Sequence, residues 1–462
     1  MLFNSTIFLY AFLPVTYAVF WRLHDKNHRY AWLTLASYIF YGYWNYLFCF
    51  LMAFSTGISY LAGRQMSETS DPGRRRLLLI VPVAIDLSLL GFFKYANFIL
   101  GNIQQAATWA RVPAHLPSFD ILLPVGISFY TFHTISYIVD SYRRTITPTR
   151  NFLEFACYVS LFSQLVAGPI VRFRQIESDL EHLDQKDRRL TSGIGWSFFT
   201  LGMIKKVLIA DTIAAIIDPA LLDYARLSSV GSWMCMLGYA YQLYFDFSGY
   251  SDMAVGLGHL FGIRLPQNFN SPYKATSPAD FWHRWHISLS TCLRDYLYIP
   301  LGGSHASKGK IMRNILITML LGGLWHGAQW TFVVWGAYHG FLLLFYRACE
   351  PLWKRAPILI QQGATFILVL IGWVFFRSAS VSMAADLLTK MFCWHTGSLF
   401  TGQAVLVIVL AVAAGLAHRG LNTFEMNHEW EWGAASALTL LFATCLFTLY
   451  GGHASPFLYF QF

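Results

Sequence analysis

The feature that most constrains the fold is an apolar run from Arg313 to Phe345, in which no acidic or basic residue occurs before Arg347. About 20 apolar residues span a bilayer as a helix, so the run predicts a membrane-spanning helix. His326 lies near its middle. An imidazole at this depth must be hydrogen-bonded by a neighbouring helix or line a hydrated cavity. Small residues that would let another backbone or a narrow ligand approach surround it, namely Gly322, Gly323, Gly327 and Ala328.

Composition extends this prediction to the whole chain. Hydrophobic residues make up 56% and charged residues only 12% of 462 residues, which is about half the usual charged fraction. A soluble protein of this length could not bury so much apolar surface. We therefore predict an all-α, polytopic membrane protein with about 10–12 transmembrane or re-entrant helices in a single domain, residues 1–462.

The net charge of +9 does not indicate a nucleic-acid-binding protein. The basic residues lie in short loops between apolar segments, where cytoplasmic loops of membrane proteins collect them. The seven cysteines are far apart along the chain and predict no disulfide framework. The apolar segment 151–170 is interrupted by Gln164 and by Gly168-Pro169, which predicts a broken or re-entrant helix.

The residues that could carry chemistry are concentrated between Asn268 and Gly303. Ser277-Pro278 predicts a helix start, and in the helix that follows His283 and His286 would share one face. We expect His283 to anchor this amphipathic helix at the membrane surface. A zinc site made from both histidines and His326 is not favoured, because helical zinc pairs are usually spaced i, i+4 and no acidic or thiol ligand lies at a suitable spacing.

Two carboxylates interrupt another apolar segment, Tyr241 to Gly258. Asp246 and Asp252 are costly at membrane depth and should pair with arginines, cap a broken helix or orient a histidine. Arg294 and Asp295 are the partners that the sequence suggests for the same polar core. A structural network is a better interpretation of these four residues than direct catalysis.

These segments together resemble a known family. FWHRWHISLSTCLRDYLYIPLGG and LLGGLWHGAQWTFVVWGAYHG, preceded by LPVGISFYTF and FDFSGYSDMAVGLG, are similar to the membrane-bound O-acyltransferases. The resemblance is closest to the bacterial alginate and exopolysaccharide O-acetyltransferase branch. It implies a central transmembrane tunnel with His326 as the essential histidine and His286 as a second family histidine, within a catalytic core segment 264–345. The aromatic C-terminus, FLYFQF, resembles a partner-docking motif of related systems.

The resemblance also implies a reaction. Acetyl-CoA would supply the acetyl group from the cytoplasm, no metal is expected, and burial would keep His326 neutral and able to accept the proton of a hydroxyl group. His286 would bind the thioester carbonyl or hold the acceptor. An oxyanion role for Trp325, Gln329 or backbone amides stays open. The expected partners are the bilayer of the bacterial inner membrane, a periplasmic acetyltransferase and an exopolysaccharide of the alginate or cellulose type.

Two alternatives stay open at this point. One keeps the fold but takes D-alanyl or another acyl group from a carrier protein for a cell-envelope polymer. The other is a proton-coupled transporter in which His326, Asp246 and Asp252 form the path. Against the transporter, the sequence shows no second copy of the histidine-containing segments, whereas inverted-repeat transporters have matching halves.

Overall fold

The protein is described by a computed structural model over residues 1–113, 116–166, 168–398, 400–451 and 457–458. Within these ranges the regular secondary structure is helical, apart from one isolated parallel bridge between Leu227 and Ser398. The predicted all-α fold is therefore confirmed.

The first part of the chain forms eight α-helices: α1 (Leu13–Arg22), α2 (Lys26–Gly42), α3 (Leu47–Glu68), α4 (Pro72–Trp109), α5 (Ile127–Arg143), α6 (Phe152–Ser160), α7 (Phe162–Leu165) and α8 (Phe173–Glu181). Side chains that cap the first turn explain where several of these helices begin. Asp71 accepts hydrogen bonds from the backbone N–H groups of Gly73 and Arg74, with Pro72 in the first turn of α4. The segment 151–170 is interrupted as predicted, but the break between α6 and α7 lies at Leu161, and Gln164 is inside α7.

Eleven further α-helices follow in the described residues: α9 (Arg188–Met203), α10 (Asp211–Leu222), α11 (Ser229–Leu260), α12 (Pro278–Arg284), α13 (Ile287–Leu293), α14 (Lys308–His326), α15 (Trp330–Trp353), α16 (Ile358–Arg377), α17 (Val381–Phe392), α18 (Gln403–His418) and α19 (Trp432–Tyr450). π-Helical segments are Phe8–Phe12, Ile204–Ala210 and Arg294–Tyr298. Short 3₁₀ turns are Leu183–Gln185, Tyr224–Arg226, Pro272–Lys274 and Thr423–Glu425.

Five of the described helices are long and apolar enough to cross a membrane, namely α3, α4, α15, α16 and α19. They confirm a polytopic membrane protein. The helix α18 is apolar but shorter than these five. The sequence predicted more segments than five because it counted apolar runs, and several of these runs fold as short or broken helices.

The central apolar run is the clearest case of a broken segment. It forms two helices, α14 and α15, and the backbone of Gly327 and Gln329 between them is extended. The prediction of one helix with His326 near its middle is wrong, because His326 is the last residue of α14. A break of this kind depends on tertiary packing, which the hydropathy of the run does not record.

Glycines allow α14 and α15 to pack backbone against backbone. A methyl group at Gly323 would overlap the carbonyl oxygen of Phe332, and one at Gly336 would overlap the carbonyl oxygen of Met319. The prediction that small residues near His326 permit close backbone approach is confirmed.

Backbone contacts divide the chain into two compact units. Unit 1 comprises Met1–Ser192 and Gly258–Leu265, and unit 2 comprises Gly193–Leu257 and Pro266–Phe462. Of the three boundaries, two fall inside the helices α9 and α11, and the third falls at Leu265–Pro266, in the segment that follows α11. That the two units act as a single domain stays a prediction.

The C-terminal motif is only partly described. Phe457 and Leu458 are buried within unit 2, where the Phe457 ring stacks on Tyr250 at 4.5 Å and the Leu458 N–H donates to Asp246 Oδ2 at 3.0 Å. Residues 459–462 of the predicted partner-docking tail lie outside the described residues. In unit 2, therefore, the first two residues of the motif contact their own chain.

A buried carboxylate in α8 links two other segments of unit 1 through hydrogen bonds. Asp179 accepts hydrogen bonds from Lys186 Nζ at 2.6 Å and from Arg264 Nη2 at 2.8 Å, as well as from the backbone N–H of Arg264. Burial alone would raise the pKa of Asp179, but these donors outweigh it and hold the pKa below its ordinary value. The charged form of Asp179 is thus the one that the fold stabilises.

We expect Asp179→Asn to lower the unfolding free energy of the detergent-solubilised protein by roughly 2 kcal/mol, because it removes the buried charge that accepts hydrogen bonds from Lys186 and Arg264. Since the folded pKa is lowered, the wild-type advantage is complete above the unfolded value of about 3.9 and is lost as the pH falls through the folded value. Thermal unfolding across pH measures it. Glu181→Gln, at an exposed position of the same helix, is the control, and equal losses from both variants would contradict the prediction.

Candidate active site

The start of the motif-rich segment is as predicted, but its continuation is not. Ser277 Oγ accepts the backbone N–H of Asp280 at 3.1 Å and Pro278 opens α12. The helix ends at Arg284, Trp285 is extended, and His286 adopts a left-handed conformation with φ 43° and ψ 54°. The prediction that His283 and His286 share one helix face is therefore wrong.

The two histidines consequently differ in environment. His283 is exposed, whereas the side chain of His286 is fully buried at the start of α13. A left-handed conformation costs a non-glycine residue about 1–2 kcal/mol, and such strain is concentrated at functional sites. The local geometry favours His286, and not His283, as a site residue.

A polar cluster surrounds one nitrogen of His286. Its Nδ1 lies 3.0 Å from Asn268 Oδ1, and the same oxygen accepts hydrogen bonds from the backbone N–H and the hydroxyl of Ser288. Asn268 Nδ2 donates to Ser251 Oγ at 3.1 Å. The other nitrogen, Nε2, is buried without a hydrogen-bond partner among the described residues. A small molecule reaching Nε2 would meet an unsatisfied polar atom.

His326 lies at the end of α14 within a cage of aromatic rings. The ring centroids of Trp325, Trp335 and Phe376 are each 5.1 Å from that of His326, in edge-to-face arrangements. Its side chain is buried. The break after α14 thus places an imidazole where a helix would otherwise continue, among rings that carry no charge.

Trp325 connects the two histidines predicted from the sequence. Its ring is 5.9 Å from that of His286 and 5.1 Å from that of His326, measured between centroids. Although 40 positions separate the two histidines, unit 2 brings both against one indole. This shared neighbour defines the candidate site.

A cavity of about 110 Å³ opens beside His326. Its walls are mainly apolar and include Trp282, Leu293, Thr318, Met319, Gly322 and Trp335. Sites for drug-sized ligands measure about 300–1,000 Å³, so this cavity has room for a small group only.

The predicted acidic residues are buried but pair with lysines instead of arginines. Asp246 Oδ1 is 2.5 Å from Lys206 Nζ, which also contacts Asp211 at 2.7 Å. Asp252 accepts from Lys205 Nζ at 2.6 Å and from Thr423 Oγ1 at 2.7 Å. Both carboxylates are ion-paired, but their cations were not identified from the sequence; that the network is structural and not catalytic stays a prediction.

Three of the remaining predicted site residues lie apart from this core. Arg294 pairs with its neighbour Asp295 at 2.7 Å, and the Arg294 side chain is largely exposed, so the predicted pairing of these residues with Asp246 and Asp252 is wrong. Gln329 is exposed at the start of α15, with no capping bond from its side chain. Of the two side chains considered for an oxyanion role, only Trp325 contacts the histidines.

Sequence analysis missed His339. This residue of α15 is buried, its ring lies 4.9 Å from that of Trp335, and its Nε2 has no hydrogen-bond partner among the described residues. A methyl group at Gly372 would come within 2.6 Å of that nitrogen, so glycine leaves room for the imidazole. The sequence signal that could have identified His339 was its position as a second histidine in the same apolar run. Asn268 was also missed, because it precedes His286 by 18 positions.

Comparison with known proteins also indicates the membrane-bound O-acyltransferases. The family model described as MBOAT, membrane-bound O-acyltransferase family, matches residues 143–385, which include both histidines. A probable alginate O-acetylase of Pseudomonas aeruginosa is 42% identical, over 92% of this chain and 82% of its own length. One of Pseudomonas putida is 39% identical over the full length of both chains. A peptidoglycan O-acetyltransferase of Helicobacter pylori is 33% identical, over 100% of this chain and 98% of its own.

The lysine–carboxylate network allows a direct test of the geometry. Lys206→Met removes the cation from two buried carboxylates, and we expect a loss of roughly 3–5 kcal/mol in unfolding free energy. Arg294→Met breaks an exposed pair and should cost about 0–1 kcal/mol. Thermal unfolding in detergent measures both. Similar midpoints for the two variants would show that Lys206 is not the principal counter-ion.

Proposed function

The chain belongs to the membrane-bound O-acyltransferase family and is an O-acyltransferase, and on this basis we propose that it moves acetyl groups from acetyl-CoA for O-acetylation of an exopolysaccharide. The observation that carries the proposal is the buried imidazole of His326, at a helix break beside a small apolar cavity. The names of the near-full-length relatives support acetyl as the transferred group.

His326 is proposed as the general base. The hydroxyl oxygen of the acceptor attacks the thioester carbonyl carbon, a C–O bond forms, and His326 takes the hydroxyl proton. The C–S bond then breaks, and the thiolate of CoA leaves and recovers a proton. Neutral aromatic rings surround His326, and burial among them favours the uncharged imidazole that this step requires.

The size of the cavity supports a small acyl group. At about 110 Å³ it would hold the acetyl end of the donor, while the much larger CoA portion would lie elsewhere. A D-alanyl group adds a charged ammonium, and the residues lining this cavity include no carboxylate to pair with it. The lining therefore favours acetyl over D-alanyl transfer.

The cellular setting follows from the same proposal. The protein would act in the bacterial inner membrane, with cytoplasmic acetyl-CoA on one side and a periplasmic acetyltransferase partner on the other. Identity is higher to the alginate O-acetylases, at 39–42%, than to the peptidoglycan enzyme, at 33%. We therefore favour an alginate-type exopolysaccharide as the final acceptor.

The test of the function is turnover of radiolabelled acetyl-CoA by the purified protein. We expect His326→Ala to lower CoA release by about 10²- to 10⁴-fold, the usual contribution of a general base. His283→Ala is the matched control, because it removes an exposed imidazole from the same motif region and should leave turnover unchanged. Wild-type turnover by His326→Ala would remove His326 from the mechanism. Turnover of a D-alanyl carrier protein, but not of acetyl-CoA, would overturn the acetyl assignment.

The cavity gives a second prediction, on specificity. Met319→Ala enlarges the pocket beside His326 and should raise the propionyl-CoA to acetyl-CoA ratio of kcat/KM about 10-fold, since one methylene is worth about 1–3 kcal/mol in such pockets. Met312→Ala, at an exposed position of α14, is the control. An unchanged ratio in Met319→Ala would show that the acyl group binds elsewhere.

A further inference from the structure

The amide of Asn268 has a single orientation. Its Oδ1 faces the backbone N–H of Ser288 at 3.3 Å, and a backbone N–H can only donate a hydrogen bond. The Ser288 hydroxyl lies 2.8 Å from the same oxygen, and Nδ2 faces Ser251 Oγ on the other side. The atom that faces His286 is therefore an acceptor.

The orientation of Asn268 fixes the tautomer of His286. An amide oxygen 3.0 Å from Nδ1 requires that Nδ1 carry the proton and donate it. In a neutral imidazole the lone pair is then on Nε2, the atom buried without a hydrogen-bond partner among the described residues. In this state Nε2 can accept a hydrogen bond but cannot give one.

Among the residues that the structure describes, the groups packed against His286 supply no charge that would protonate it. The neighbouring rings are those of Phe247, Phe269 and Trp325, from α11, the segment before α12, and α14. On α11, Asp246 is held by Lys206 and the backbone of Leu458, and Asp252 by Lys205. On α14, the neighbouring titratable group is His326, itself in contact with Trp325.

We propose that Asn268 is a positioning residue that holds the lone pair of His286 on Nε2, so that His286 accepts a hydrogen bond from a second hydroxyl of the acceptor, beside the one that gives its proton to His326, and does not donate one to the thioester carbonyl. The inference rests on the proposed acyl transfer and specifies the side of the reaction on which His286 acts. A donor to the carbonyl would need a proton on Nε2, and the Asn268 oxygen opposes the tautomer that places it there.

Two substitutions separate positioning from packing. Asn268→Leu keeps the approximate size of the side chain but removes the acceptor, and kcat for CoA release should fall about 10²-fold or more, as when a catalytic histidine loses its tautomer-fixing partner. Asn268→Asp keeps the acceptor and adds a charge that favours the imidazolium. It should restore most of the activity at high pH and move the acidic limb of the pH–rate profile upward by about 1 unit or more.

The binding measurement decides which substrate His286 contacts. We expect Asn268→Leu and His286→Ala to bind acetonyl-CoA, a thioether that keeps a carbonyl and cannot be cleaved, within about threefold of the wild-type Kd, an energy difference smaller than that of one hydrogen bond. Asn270→Leu, two positions away, is the control and should match the wild type in kcat and Kd, because the Asn270 side chain makes no hydrogen bond within the described part of the chain.

Each contrary result would reject either this inference or the proposed mechanism. Loss of acetonyl-CoA binding in parallel with kcat would place His286 on the thioester carbonyl and overturn this inference. Wild-type kcat and pH profile in Asn268→Leu, with His326→Ala inactive, would overturn the inference and leave the acyl-transfer function standing. Wild-type turnover by His326→Ala would instead reject the proposed mechanism itself. Thermal unfolding of each variant establishes that a fall in kcat comes from a folded protein.

Discussion

The close packing of α14 against α15 is the constraint on which the candidate site depends. Glycines at 323 and 336 let the two backbones touch, so the chain can reverse within Gly327–Gln329. The reversal ends α14 at His326 and brings Trp335 of α15 against its ring. A side chain at either glycine would separate the helices and remove one wall of the cavity. Backbone packing, and not a polar contact, thus sets the position of the imidazole.

The sequence predicts those parts of the fold that depend on interactions between residues close together in the chain. Long apolar runs identified α4, α16 and α19 because burial in lipid depends on composition over about 20 residues. The breaks at Gly327 and at His286 were not predicted, since each results from contacts with residues distant in the sequence. Likewise Asn268 faces His286 across 18 positions, and a helical repeat cannot indicate this pairing. Motif resemblance located both histidines, whereas their surroundings required the structure.

For the buried charges, too, the sequence predicted one part of the structure and not the other. Burial at membrane depth predicted that Asp246 and Asp252 need cations, but the partners lie in an apolar segment that reads as an ordinary helix. Six residues apart on α11, the two carboxylates point about 120° away from each other. Two adjacent lysines of the π-helical segment, Lys205 and Lys206, also point in different directions, since successive residues of a helix lie on different faces. One pair of neighbours can therefore serve both carboxylates, and a search for arginines could not find it.

In the proposed reaction, the two histidines meet one chemical requirement in different ways. A proton acceptor in apolar surroundings must be neutral and must keep its lone pair directed at the substrate. Uncharged rings lie on several sides of His326 and favour its neutral form. At His286 the direction of the lone pair follows from Asn268, whose amide is itself oriented by a backbone N–H. The left-handed backbone of His286 costs about 1–2 kcal/mol, and the hydrogen bonds to Asn268 are of a size to offset it. Strain and orientation therefore belong to the same local structure, which a helix continuing from α12 could not provide.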